Sequence, residues 1–189
     1  EPTLTAITVT EGFTEDEVLQ LIATAENQSE HPLAQAIVLG VKDRGLSLLD
    51  VADFEALPGY GIQANVNGRA VLVGTRKLMK EHNIATLDSE DSMVKLESEG
   101  KTAILIACDK KLAGVVAVAD TVKKTSKEAI ERMKALGLEV IMLTGDNQRT
   151  AEAIAKKVSI THVIAEVLPE QKSAEIKKLQ DMGKKVAMV

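Results

Sequence analysis

The chain has 189 residues, 45% hydrophobic and 27% charged, and its 23 Lys and Arg against 28 Asp and Glu give a net charge of −5. That length allows one or two domains with a real core, and an acidic balance with no basic stretch argues against a nucleic-acid partner. The single cysteine excludes an internal disulfide and a CxxC metal site, and the longest apolar runs fall short of the ~18 residues that cross a bilayer.

"TLTAITVT" alternates Leu4, Ala6 and Val9 against threonines and reads as a strand. "TEDEVLQLIATAEN" reads as a helix, with Thr14 as its cap, Glu17 at the capping-box position and Val18, Leu21, Ile22 and Ala25 as its apolar stripe. "ENQSEHPLAQAI" then breaks the helical pattern and sets His31 directly before Pro32. Pro32 suits the first turn of a second helix, which runs to about Arg44 and stops at Gly45.

From about Leu49 to Gly74 the pattern is short strands, "VADFEALP", "YGIQANV" and "RAVLVG", with "VNGR" as a hairpin signal. "TRKLMKEHN" reads as a polar helix, and the stretch from there to Gly100 shows no clear period. "TAILIAC" and "LAGVVAVAD" are strands that meet at Asp109–Lys111, and Cys108 reads as a small core residue. Strands in hairpins with a few helices predict an α+β domain on an antiparallel sheet.

After Asp120 the order becomes regular. A helix is expected over Lys124–Leu136, with Ala129, Ile130, Met133 and Leu136 on one face and Gly137 as its stop. The strand "LEVIMLT", a helix over Asn147–Val158, the strand "HVIAEV", a helix over Pro169–Met182 and the strand "KKVAMV" follow. Such alternation predicts a parallel sheet with helices on both faces.

Ligands of doubly wound sheets bind beyond the carboxyl ends of the strands. "TGDN" (Thr144, Gly145, Asp146, Asn147) sits there, and reads either as an anion site at a helix start or as a plain capped helix. Lys172 opposes the dipole of its own helix, so it faces an anion or is a solvated surface lysine. "LPGYGI" and "VGTRKL" place Gly59, Gly61 and Gly74 at strand ends, where glycines serve a turn or a bulge as readily as a ligand. Aromatics are only 2%, so a planar ligand has to rest on backbone or aliphatic groups. His31 alone reads equally as a helix-cap histidine.

"SEHPLA", "GYGI", "EGKTAI", "LTGDN" and "PEQK" occur in the order seen in heavy-metal-transporting P-type ATPases. Nearly the whole chain resembles the large catalytic loop of such a pump, copper-exporting by preference. The resemblance implies an antiparallel α+β nucleotide-binding domain over 1–118 and a partial, Rossmann-type phosphorylation domain of the haloacid-dehalogenase kind over 119–189. It implies that Glu26 and His31 hold the adenine end of ATP, with Gly59, Gly61, Ile62 and Gly74 forming the rest of the pocket. Many members carry Asn after the last of these glycines; Thr75 stands there in this chain, and its hydroxyl is the expected substitute.

By the same resemblance, Thr144, Gly145 and Asp146 orient the phosphoryl group and Lys172 offsets charge at an aspartyl phosphate. The phosphorylated aspartate of DKTGT and the magnesium aspartates of GDGxxND are absent. Both belong just outside the two ends, so truncation is expected, with ATP and magnesium as cofactors of the intact pump. The expected partners are ATP or ADP and the pump's own membrane and actuator domains. The expected location is the cytoplasmic portion of a membrane protein, with no membrane contact by this segment. Two other readings stand beside it: a soluble phosphatase of the same superfamily, and a regulatory module that binds nucleotide without chemistry.

Overall fold

The computed structural model describes residues 2–189, with the backbone alone for Lys124. Six strands form one antiparallel sheet: β1 (Pro2–Val9), β2 (Val51–Leu57), β3 (Gly61–Val66), β4 (Arg69–Gly74), β5 (Thr102–Cys108) and β6 (Lys111–Asp120). Their order is β1-β6-β5-β4-β3-β2. Two-residue turns with both φ angles positive close the β3–β4 and β5–β6 hairpins, the type whose twist matches paired strands. Asn67 and Gly68 make the first (φ 49° and 81°), and Asp109 and Lys110 the second (49° and 65°). The second turn needs help, because Lys110 is not glycine. Asp109 supplies it by accepting the Ala70 N–H at 3.0 Å and Arg69 Nε at 3.1 Å.

The register of β1 slips between Leu4 and Ala6. Thr5 is the extra residue, and its hydroxyl donates to the Ala117 carbonyl at 3.1 Å. The slip explains why alternation begun at Leu4 and Ala6 continues at Ile7 and Val9.

Period-two alternation sends neighbouring residues of β5 to opposite faces. Ile106 and Cys108 pack with α1 (Glu15–Glu26) and α2 (Pro32–Asp43), in a core that includes Val18, Leu19, Ile22, Ile37 and Val41. Leu105 and Ala107 pack with Met79 of α3 (Arg76–Glu81) and Met93 of α4 (Glu90–Ser98). The sheet is thus covered on both faces. Thr14 caps α1 by accepting the Glu17 N–H at 3.3 Å, but only half of the expected capping box forms. The Glu17 carboxylate goes instead to Arg69 Nη1 at 2.5 Å.

The α4 helix lies in the stretch that showed no clear period. Its buried face is completed by Glu97, a charged residue that a hydrophobic pattern does not register.

Ala119 and Asp120 still pair with Thr3 and Pro2, and the first compact unit extends to Val122. The division therefore falls slightly beyond the expected 118. The second unit, Lys123–Val189, holds α5 (Lys124–Ala135), β7 (Ile141–Leu143), α6 (Gln148–Lys157), β8 (His162–Ile164), a 3₁₀ turn (Pro169–Gln171) and α7 (Lys172–Asp181). β7 and β8 pair in parallel through α6. Both strands are shorter than expected, and the helix expected over Pro169–Met182 begins as the 3₁₀ turn.

No strand forms over "KKVAMV" among the described residues, because a strand needs a ladder and none pairs there. The face expected on α5 buries Ile130 but leaves Leu136 78% exposed. No helix among the described residues is long and apolar enough to cross a membrane.

Candidate functional site

Gly61, the first residue of β3, pairs with Gly74, the last of β4. A Cβ on Gly61 would lie 2.0 Å from the Val73 carbonyl oxygen, and one on Gly74 would lie 2.1 Å from that of Tyr60. Their φ angles of 143° and 159° also disfavour other residues. Here two strands touch backbone on backbone, with Leu78 Cδ2 the side-chain atom nearest Gly74. Gly59, at φ 78°, makes the turn that leads into it. Ile62 is only 6% exposed and its side chain belongs to the core, so any outward contact from it is through its backbone.

The ladder continues one step past Gly74, where the Thr75 N–H donates to the Tyr60 carbonyl at 2.9 Å. The Thr75 hydroxyl then caps α3 by accepting the Leu78 N–H at 3.4 Å. Asn performs the same capping task, which accounts for the exchange of one residue for the other. It also means that this hydroxyl already has a structural partner.

Tyr60 and Lys77 were not singled out by the sequence. Lys77 Nζ donates to the Tyr60 hydroxyl at 2.5 Å and sits 4.4 Å from the ring centroid. The bond to Tyr60 raises the Lys77 pKa above its usual value. The available signal was a lone tyrosine inside the GxG step.

His31 is the N-cap of α2, and its Nδ1 accepts the Leu33 N–H at 3.2 Å. That bond assigns the proton of the neutral ring to Nε2. The His31 N–H donates to Ser29 Oγ at 3.3 Å, and Ser29 in turn hydrogen-bonds the Glu26 carboxyl group. Glu26, the last residue of α1, is pushed up to a pKa of about 7 by burial, against the lowering effect of Ser29. Near neutral pH it therefore exists both as a hydrogen-bond donor and as an acceptor. Glu26, Ser29 and His31 form one bonded group, and the glycine wall with Tyr60 and Thr75 forms another. Both belong to the first unit, and among the described residues no hydrogen bond joins them directly.

In the second unit, Thr144–Asn147 links β7 to α6. The Thr144 hydroxyl donates to Asp146 Oδ2 at 2.8 Å and accepts the Asp146 N–H at 3.1 Å. Asn147 caps α6 by accepting the Thr150 N–H at 3.0 Å. The Thr144 N–H and carbonyl bond Ile164 and Val167, which fastens the loop beside the end of β8. Gly145 is exposed, and Lys172 opens α7 a few residues beyond Val167. Two hollows are lined by none of these residues, one of about 510 Å³ between α6 and β8 and one of about 470 Å³ beside Arg76 and Lys80.

A profile of the haloacid dehalogenase-like hydrolases matches residues 3–189. The chain belongs to this family. Among relatives in the wider haloacid dehalogenase-like group, a copper-exporting P-type ATPase of Staphylococcus epidermidis is 52% identical over 182 residues, 96% of this chain and 23% of that protein. The chain thus spans about a quarter of the relative's length. The crystal structure of a zinc-transporting PIB-type ATPase in the E2.Pi state aligns with 96% of this chain and 29% of its own, at 35% identity and a TM-score of 0.63. The isolated N-domain of HMA6, a copper-transporting P-type ATPase, aligns with 62% of this chain and 98% of its own, at 30% identity and a TM-score of 0.51. The expected fold, an antiparallel α+β unit joined to a partial haloacid-dehalogenase-like one, is the fold found, and the chain is homologous to copper-transporting P-type ATPases.

Among the described residues, no three His, Cys, Asp or Glu side chains converge on one position. At the glycine wall the nearest atoms are backbone atoms of Tyr60, Val73 and the facing glycine, with the Leu78 side chain beside Gly74.

Glu26 generates a pH dependence with a defined sign. Its folded pKa of about 7 exceeds the unfolded value near 4.5, so between the two the folded chain keeps a proton that the unfolded chain has lost. The Glu26 contribution to stability is expected to fall as pH rises through that window and to level off above it. Urea unfolding of the wild type and of Glu26→Gln at intervals across the window checks this, since the variant should lack that component of the slope.

Proposed function

We propose that this chain is the ATP-binding part of a copper-exporting P-type ATPase. The observation that carries the reading is the Gly61–Gly74 wall in a chain that is 52% identical, over 96% of its length, to a copper exporter. Adenine lies against the backbone of Gly59, Gly61, Ile62 and Gly74, with Thr75 at the edge. His31 offers its Nε2–H, on a ring already oriented by its cap bond. Glu26 donates or accepts according to its protonation, which suits the mixed edge of adenine. A site already fixed before binding loses little side-chain freedom on binding.

The unit up to Val122 acts as the nucleotide-binding domain and the unit from Lys123 as the phosphorylation domain. In the second, Thr144, Gly145 and Asp146 orient the transferred phosphoryl group at the start of α6, and Lys172 offsets its charge. Such transfer rests on positioning and electrostatics more than on covalent work by the protein. In such a pump an aspartate accepts the phosphoryl group and carboxylates hold magnesium at the transferred phosphates. Magnesium, when bound there, neutralises charge on the phosphates. The partners are ATP or ADP and the membrane and actuator domains of the same pump. The segment works on the cytoplasmic side of the membrane.

Calorimetric titration with ATP, ADP and AMP tests the pocket. His31→Asn keeps a good N-cap and removes the ring. It is expected to retain the wild-type melting temperature and to bind all three nucleotides several-fold more weakly. Wild-type affinity in the variant would contradict the pocket, and steady turnover of phosphate monoesters would favour a phosphatase instead.

Incubation with γ-labelled ATP and magnesium is expected to leave no acid-stable, hydroxylamine-sensitive label. Asp146 is engaged by Thr144, and Asp120 closes β6 in the antiparallel sheet. Stoichiometric label would show that one of the aspartates present is an acceptor.

A further inference from the structure

The most deeply buried charged side chain among the described residues lies outside both bonded groups. Glu97 of α4 is 0% exposed, whereas the other buried polar residues among those described, Thr24, Ser89 and Thr150, are uncharged. A carboxylate taken out of water persists only with strong partners. Arg76 is such a partner: its Nη1 reaches Glu97 Oε1 at 2.5 Å and its Nη2 reaches Oε2 at 3.2 Å. The same guanidinium holds Glu90 through Nε at 2.8 Å and Nη2 at 3.0 Å. Burial opposes the charge on Arg76, but the bonds to Glu90 and Glu97 outweigh it and keep the group protonated. A planar fork gripped by two carboxylates is fixed in direction as well as distance.

Arg76 is the first residue of α3. Thr75, just before it, caps the helix and donates its N–H to Tyr60. Gly74, one residue earlier, faces Gly61. Three consecutive residues thus run from the glycine wall to a side chain clamped on α4. Stability alone would not require this arrangement, since Met93 and Leu96 already seat α4 on the sheet, and an apolar residue at position 97 would avoid the cost of desolvation.

We infer that Glu97 is a positioning residue for nucleotide binding: acting through Arg76, it sets the first turn of α3 and with it the Gly74–Thr75 edge of the wall. The inference rests on the nucleotide reading of that wall.

The test compares the wild-type chain with Glu97→Gln, Arg76→Lys and the apolar pair Arg76→Met with Glu97→Leu. Three quantities are measured: ATP affinity by calorimetry, urea midpoint, and tyrosine emission without nucleotide. The chain has one tyrosine and no tryptophan, so that emission comes from Tyr60 alone.

Glu97→Gln is expected to bind ATP about ten-fold more weakly, or about 1.4 kcal/mol, with altered Tyr60 emission. Arg76→Lys keeps the charge and loses the fork, and is expected to do the same. The apolar pair is expected to recover the wild-type midpoint while affinity stays reduced and emission stays altered. Recovery of affinity together with stability in the apolar pair would overturn the inference, because the ion pair would then serve stability alone. Wild-type affinity in a folded Glu97→Gln or Arg76→Lys would also overturn it. If the wild type binds no ATP, the nucleotide reading fails, and Tyr60 emission still decides: a change in the variants supports positioning, and no change refutes it.

Discussion

The contact between Gly61 and Gly74 is the constraint on which the first unit turns. Two strands approach so closely that a methyl group on either glycine would overlap a carbonyl oxygen of the other strand. The close approach brings the Tyr60 carbonyl to the Thr75 N–H, and that bond leads directly into the cap of α3. Behind the wall, Arg76 ties the same turn to a buried carboxylate on the far helix. Strand end, helix start and buried ion pair are therefore one mechanical unit, built from residues adjacent in sequence.

The second group obeys a similar logic with different chemistry. His31 caps α2 with a ring nitrogen, a task more often given to Ser, Thr, Asp or Asn. An imidazole used this way keeps its second nitrogen for another partner, while its orientation is already determined. Ser29 ties this cap to Glu26, whose burial holds the carboxyl group close to half-protonated at neutral pH. Such a group adapts to an adenine edge, which offers both acceptors and a donor. In a chain with two per cent aromatic residues, the proposed site relies on backbone and these two side chains in place of stacked rings.

Much of this was legible in the sequence because the signals are local. Asn67-Gly68 specifies its turn, Thr14 and Gly45 mark helix ends, and the apolar runs of β5 and β6 mark strands. Features that depend on distant partners were not legible. The α4 helix hides its period because one of its buried positions is glutamate, and Arg76, from another helix, helps make that burial tolerable. Tyr60 gains its role from Lys77, on another element of the chain. The "KKVAMV" stretch has the composition of a buried parallel strand, but composition does not make a ladder, and β7 and β8 pair with each other alone in that sheet. Glu17 satisfied a capping-box pattern and was drawn to Arg69 instead, since a full charge outcompetes a backbone N–H.

The most direct test of the central claim is a map of backbone amide shifts in the labelled chain during titration with ATP. The account predicts that the largest changes fall on two stretches far apart in sequence, Glu26 to Leu33 and Gly59 to Ile62, together with Gly74 and Thr75. It predicts that they titrate together with a single affinity. Saturable ATP binding that leaves the Gly61 and Gly74 amides unmoved would contradict it.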